Sequence, residues 1–265
     1  MKLTQYKKAS VLALSAVLIA ACGEDEAKTE SVDEQKLSSL VKQTNYSTNF
    51  PPLFSDVIWG STLDQQGTVR FDAAEQIPLY YVSKDGSNPP AVISNAVNTI
   101  EARLGNIFSD FTLVTEDLSV YRDNSLAHEN VGNGSFNANE FKNSHGILGG
   151  LVIAQGTGFY SKGFSDSPQN MCANASMAPY DGSMALLIDP TSYTYAGDTL
   201  LWVNMGNGQC SWDSDIVVHE MAHAMGMYNH LDGYFGSWST TAMDILATLY
   251  GNPAGTAYSS LVIKR

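Results

Sequence analysis

Three of the five histidines fall within one short stretch, VVHEMAHAMGMYNHLDGYFG (217–236). His219 and His223 stand four apart. On an α-helix that spacing separates two side chains by about 40° in azimuth and about 6 Å in height, so both imidazoles can address one ion. Glu220 is turned about 100° from His219. That keeps it out of the ligand set but leaves its carboxylate within reach of a water beside the ion. Two neutral nitrogen ligands on one helix face, with a carboxylate next to them, suit a zinc ion and a general base acting together in hydrolysis. The segment between the two histidines is apolar and helix-compatible, and Gly226 lets the chain turn out of the helix. Beyond the turn lie Asn229, His230 and Asp232 as candidate third ligands. Neutral imidazole binds zinc far better than a carboxamide oxygen, so His230 is expected to complete the site. Asn229 then serves nearby as a hydrogen-bonding group or loop cap.

These residues need a helix and a frame to hold it. Asp213, Ser214 and Asp215 place capping and acidic residues at the positive end of a helix running through Ile216–Met225. Upstream, GTVRFDA (67–73), IPLYYV (77–82) and FTLV (111–114) are β-branched and aromatic enough to be strands. NPPAVISNAVNTIEARLG (88–105) reads as a long helix, with Pro89 and Pro90 in its first turn, Ile93, Val97, Ile100 and Leu104 on one face, and Gly105 at its end. The Asn/Gly/Ser-rich stretch 123–146 is expected to be a loop, and its His128 and His145 have no partner at ligand spacing. GGLVIAQG (149–156), ALLID (185–189) and LLWVN (200–204) are further strand candidates. AMDILATLYG (242–251) is a short final helix, capped by Thr241 with Asp244 at the third position and stopped by Gly251 and Pro253. The sum is an α+β fold with a mixed twisted sheet, a long backing helix, an active-site helix and a short C-terminal helix.

HEMAHAMGMYNH resembles the metzincin zinc-peptidase motif H-E-x-x-H-x-x-G-x-x-H. MDILATLYG is similar to the helix that closes many matrixin- and serralysin-like domains, though two residues shorter. The match covers roughly residues 185–255, and the first half agrees only in order of elements. The resemblance implies a zincin-like fold, a Zn2+ cofactor held by His219, His223 and a third ligand, and Glu220 as the base that serves peptide-bond hydrolysis. It implies that ALLID is the edge strand along which a peptide substrate lies, and that Met243 is the candidate for the methionine below the metal. Two departures stand out. Asn229 occupies the third-ligand position and the histidine follows one place later, and Met243 stands at the start of the last helix without the usual loop before it. Tyr228 and Tyr234 are the tyrosines nearest in sequence for stabilising an oxyanion, though packing roles suit them as well.

The N-terminus reads as an export signal. Lys2, Lys7 and Lys8 precede the apolar run Val11–Ala20, which is too short for a stable membrane span. It ends in Ile19-Ala20-Ala21-Cys22, which resembles a bacterial lipobox with Cys22 as the lipidated residue, and Gly23 after it implies outer-membrane sorting. Residues 1–21 are then a signal peptide, 22–50 a lipidated cysteine and polar tether with a short helix near Glu34–Val41, and 51–265 the metallopeptidase domain. Of three cysteines, Cys22 is spoken for, and in an exported protein Cys172 and Cys210 most simply pair as a disulfide. A net charge of −13 argues against a nucleic-acid partner. A non-catalytic zinc-binding surface lipoprotein for adhesion or host interaction is the competing function. Glu220 discriminates against it, because a structural site has no use for a base beside the metal.

Overall fold

Strands buried on both faces should alternate between two apolar cores, and three strands of this sheet do so. In a computed structural model that describes residues 33–45, 67–117, 138–155, 173–176, 188–189, 191–195, 197–205, 211–231 and 238–265, the main sheet contains β1 (Ile77–Ser83), β2 (Phe108–Thr115), β3 (Gly150–Gln155), β4 (Asn174–Ser176) and β7 (Leu200–Met205). Its order is β2-β1-β3-β7-β4. β1, β2, β3 and β7 run parallel, and β4 joins the end of the sheet antiparallel to β7. Leu79 and Tyr81, Leu151 and Ile153, and Leu201, Val203 and Met205 face the larger core. Val82, Val152, Ala154, Leu200 and Trp202 face the smaller one.

The larger core is covered by helices α1 (Glu34–Asn45), α2 (Ala91–Leu104), α4 (Ser214–Ala224) and α5 (Thr240–Tyr250). α2 is the long backing helix, packed against α4. It buries Ile93, Ala96, Val97 and Ile100 and ends at Gly105, whose φ of 84° lies in the left-handed region that glycine tolerates. Pro90 caps it from outside, so both prolines precede the helix and do not fill its first turn.

Several expectations need correcting. GTVRFDA forms only isolated bridges at Gly67 and Arg70, because Val69 is fixed by a side chain of α1 rather than by a neighbouring strand. The polar stretch 123–146 is not loop to its end. Ala138–His145 forms helix α3, anchored by the buried Phe141, whose ring lies 5.2 Å from that of Trp202. His145 in its last turn contacts Glu116 at 3.1 Å, whereas His128 lies outside the described residues. The cap of α5 is Ser239, whose hydroxyl accepts from the Ala242 amide, and not Thr241. Asp244 instead pairs with Arg103 of α2 at 3.0 Å. Gly251 ends α5 as expected. Most consequential is α1, expected as a short helix in a tether. It runs on to Asn45 and buries Leu37 and Val41 in the core, packed against α5 and a 3-10 turn at Tyr258–Ser260. The folded unit therefore begins well before Pro51.

Of ALLID, Ile188–Asp189 form strand β5, paired with β6 (Thr194–Tyr195) in a separate two-stranded sheet. They are not an edge of the main sheet. The Asp189 carboxylate accepts from the Thr191 N–H at 2.7 Å in the turn that follows, and residues 185–187 of ALLID lie outside the described residues. Cys22, Cys172, Cys210, Asp232 and Tyr234 lie outside the described residues. Among the described residues, no helix is long and apolar enough to cross a membrane.

Candidate metal centre

α4 begins where the sequence says it should. The Asp213 carboxylate accepts from the Ile216 amide at 3.1 Å, and Asp215 sits in the first turn. The helix stops at Ala224–Met225, and Gly226 turns the chain away at φ 113°, a conformation strained for any L-residue with a Cβ. Space is also absent there, because a Cβ on Gly226 would stand 2.8 Å from the Val69 carbonyl oxygen. Four residues later the chain brings His230 back over the face that carries His219 and His223.

The three Nε2 atoms converge. His219 and His223 are 3.1 Å apart, His219 and His230 3.1 Å, and His223 and His230 3.2 Å. His219 is buried, His223 half-buried and His230 exposed, so the site opens on one side. The Nδ1 atom of His223 lies 2.6 Å from the Met227 carbonyl oxygen. A carbonyl only accepts, so Nδ1 carries the proton and Nε2 turns a lone pair toward the other two rings. Lone pairs aimed at one point repel unless a cation lies between them. A zinc ion bonded to three imidazoles at its usual length with tetrahedral angles sets the nitrogens roughly 3.3 Å apart. The observed triangle is within about 0.2 Å of that. Three nitrogen donors with one open side are the ligand set of a catalytic zinc site, and the residues fit the ion.

The electrostatics agree. Burial drives His219 down to about 4, helped by the neighbouring His230. Burial also drives His223 down to about 3, with His219 and His230 adding to the effect. His230 is lowered by burial. All three therefore present neutral imidazoles at pH 7, the form a metal needs. Glu220 is buried against β4, where the Ala175 backbone hydrogen-bonds to it, and burial pushes its carboxyl up to about 8. A carboxyl tuned near neutrality can both take and return a proton.

The site thus gathers His219, Glu220, His223 and His230 as the sequence indicated. Asn229, at the third-ligand position, is turned elsewhere. Its backbone N–H donates to the Thr44 carbonyl at 3.0 Å and its side-chain amide to the Gln43 carbonyl at 3.1 Å. Met243 lies half-buried within the first turn of α5, not in a loop ahead of it. Tyr228 is a buried packing residue whose hydroxyl shares a 2.8 Å hydrogen bond with Tyr195, and burial raises its pKa further above the usual phenol range. Two contributors had no readable signal in the sequence. The Met227 carbonyl fixes the His223 tautomer, and the Ala175 backbone of β4 meets Glu220. Among the described residues, β4 is the strand that ends the main sheet beside the site.

The buried His219/His223/His230 cluster, with Glu220 nearby, resembles a metzincin-type zinc-binding arrangement. Comparison of the chain with protein-family models, curated proteins and solved structures finds no match.

Proposed function

We propose that this protein is a zinc-dependent endopeptidase, exported and held at the outer membrane by lipid on Cys22. The observation that carries the catalytic reading is the convergence of three neutral imidazole nitrogens beside a buried carboxyl, next to the strand that ends the sheet. When bound there, zinc supplies Lewis acidity, polarising a carbonyl and lowering the pKa of a water. His219, His223 and His230 hold it, and Met227 keeps the His223 ring in the ligating tautomer. Glu220 takes the proton from the attacking water and returns it to the leaving amine. Its burial against β4 keeps bulk water from competing for that proton. A substrate peptide lies extended along the side of β4 away from β7, where main-chain hydrogen bonds fix it independently of side chains.

The reading is tested on the full chain by measuring zinc content together with cleavage of casein and peptides, with and without chelator. One zinc per chain, with cleavage lost on chelation and restored by zinc, supports it. Stoichiometric zinc with no cleavage of any peptide substrate favours a zinc-binding surface lipoprotein without activity. The placement of Met243 inside a helix is the observation on that side. Absence of zinc binding overturns both.

A further inference from the structure

Helix α1 is farther in sequence from the metal ligands than any other element of the larger core, yet its last three residues hold the loop between the second ligand and the third. The Thr44 carbonyl accepts from the Asn229 amide at 3.0 Å, and the Gln43 carbonyl accepts from the Asn229 side chain at 3.1 Å. Asn45, fully buried, reaches further in. Its Nδ2 donates to the Gly226 carbonyl and to the Val69 carbonyl, both at 2.7 Å. Its Oδ1 accepts from the Val69 amide at 3.0 Å and the Tyr258 hydroxyl at 2.8 Å. Two donors and two acceptors are the whole capacity of a carboxamide, and all four are used.

Gly226 is where the chain must leave α4 at positive φ, and His230 is four residues on. A loop of this kind has no ladder or helix of its own to set where its end lies. It is anchored at Met225, whose carbonyl accepts from the Tyr250 hydroxyl at 3.0 Å, and at Met227, whose N–H donates to the Ala222 carbonyl at 2.9 Å and whose carbonyl faces His223 Nδ1. It is anchored also at Tyr228 through the Tyr195 hydroxyl, and at Gly226 and Asn229. The α1 terminus holds Gly226, where the loop leaves the helix, and Asn229, directly before the ligand.

We propose that Asn45 is a positioning residue for the metal centre: the C-terminal turn of α1 clamps the 226–229 loop and so places His230 in ligating register. The proposal rests on His219, His223 and His230 forming a metal site. It makes zinc affinity depend on a helix that contributes no ligand. By linkage, metal binding must in turn stabilise the end of that helix.

The test compares full-length Asn45→Ala and Asn45→Asp with Leu37→Ala. Asn45→Asp keeps the acceptor but removes the two donors. Leu37→Ala lies on the same helix and opens a core cavity without removing a hydrogen bond to the loop. Zinc affinity is measured by competition with a chromophoric chelator, and the ligand field from the visible spectrum of the Co2+-loaded protein. Both Asn45 variants should lose 10–100-fold in zinc affinity, the range for residues that orient metal ligands (~10–100-fold), with an altered Co2+ spectrum. Leu37→Ala should lower the unfolding midpoint while keeping affinity and spectrum. Parental affinity and spectrum in the Asn45 variants overturn the proposal. So does an equal loss in Leu37→Ala, which would make the effect one of general stability. A measurement on the unmutated protein covers variants that fail to fold. Zinc should slow amide exchange in residues 41–45 and leave α3, on the opposite face of the sheet, unchanged. Unchanged exchange in 41–45 overturns the clamp while leaving the metal site standing, whereas failure of the parent to bind zinc or Co2+ overturns the site itself.

Discussion

Glu220→Gln separates the two things that a buried acid does here. Burial raises its carboxyl from 4.5 to about 8, so the native state binds this proton more tightly than the unfolded chain does. The stabilisation is fully present below about pH 4.5 and is lost as pH rises through about 8. Within that range each pH unit removes up to ~1.4 kcal/mol. The histidines oppose this, because their native values lie below 6.5 and the unfolded chain still holds part of its histidine protons at and above that pH. Between pH 6.5 and 8 the unfolded histidines give up those protons and return part of the loss, so the Glu220 contribution is read from the difference between the parent and the Glu220→Gln variant. Over that window the Glu220 contribution should fall by roughly 1.5 kcal/mol. Glu220→Gln, neutral at every pH and nearly isosteric, should remove that loss while zinc stays bound and the fold intact. Its peptidase activity should fall by about 10²–10⁴-fold, the usual contribution of general acid–base catalysis. The assay is urea unfolding in chelator at pH 6.5, 7.25 and 8, beside cleavage kinetics of the zinc form. A variant that keeps the parental pH slope refutes the burial argument. One that cleaves within a few-fold of the parent refutes the role of Glu220 as base.

The ligand assignment predicts a ranking: His230→Ala should weaken zinc binding as severely as His219→Ala, and Asn229→Ala only a few-fold. A zinc titration in which Asn229→Ala is the worse variant would reverse the assignment. Gly226→Ala should cost roughly 1–3 kcal/mol from backbone strain alone, and more from the 2.8 Å approach to the Val69 carbonyl. Denaturant unfolding of that variant checks it, and a cost under half a kcal/mol would contradict the need for glycine. Cys22→Ala should release the protein from the membrane fraction, and unchanged partitioning into detergent would count against lipidation at that residue.

What could be read in the sequence followed from periodicity and capping. The spacing of His219 and His223, the Asp213 cap, the Gly226 exit, the α2 face around Ile93, Val97 and Ile100, and strands β1, β3 and β7 are all local patterns that a folded chain has little freedom to violate. The misreadings share a different cause. α3 and α1 look polar in sequence, and each is held by very few apolar residues, Phe141 in one and Leu37 and Val41 in the other. One or two well-placed anchors suffice when the rest of the core is already built, and no periodicity registers them. GTVRFDA has strand composition, but Asn45 supplies the hydrogen bonds at Val69 that a neighbouring strand would have given. β4 is three residues long, too short for any pattern, and its importance comes only from where the sheet order leaves it.

The displaced histidine follows from the same distinction between local and distant control. If helix periodicity set the position of the third ligand, moving it by one residue would rotate it by about 100° and away from the ion. Periodicity ends at Gly226. Past it Met227 still bonds back to Ala222 and His223, but the residue before the ligand is held by α1 through the groups of Asn229: its amide on Thr44 and its carboxamide on Gln43. A residue fixed at both its backbone and its side chain cannot also turn toward the triangle. The next residue, leaving a fixed point, can. On the clamp proposed above, the register of His230 is counted from the α1 contact and not from helix periodicity. A chain that carries the pattern's glycine but holds its loop from outside the helix has no reason to keep the pattern's spacing after it.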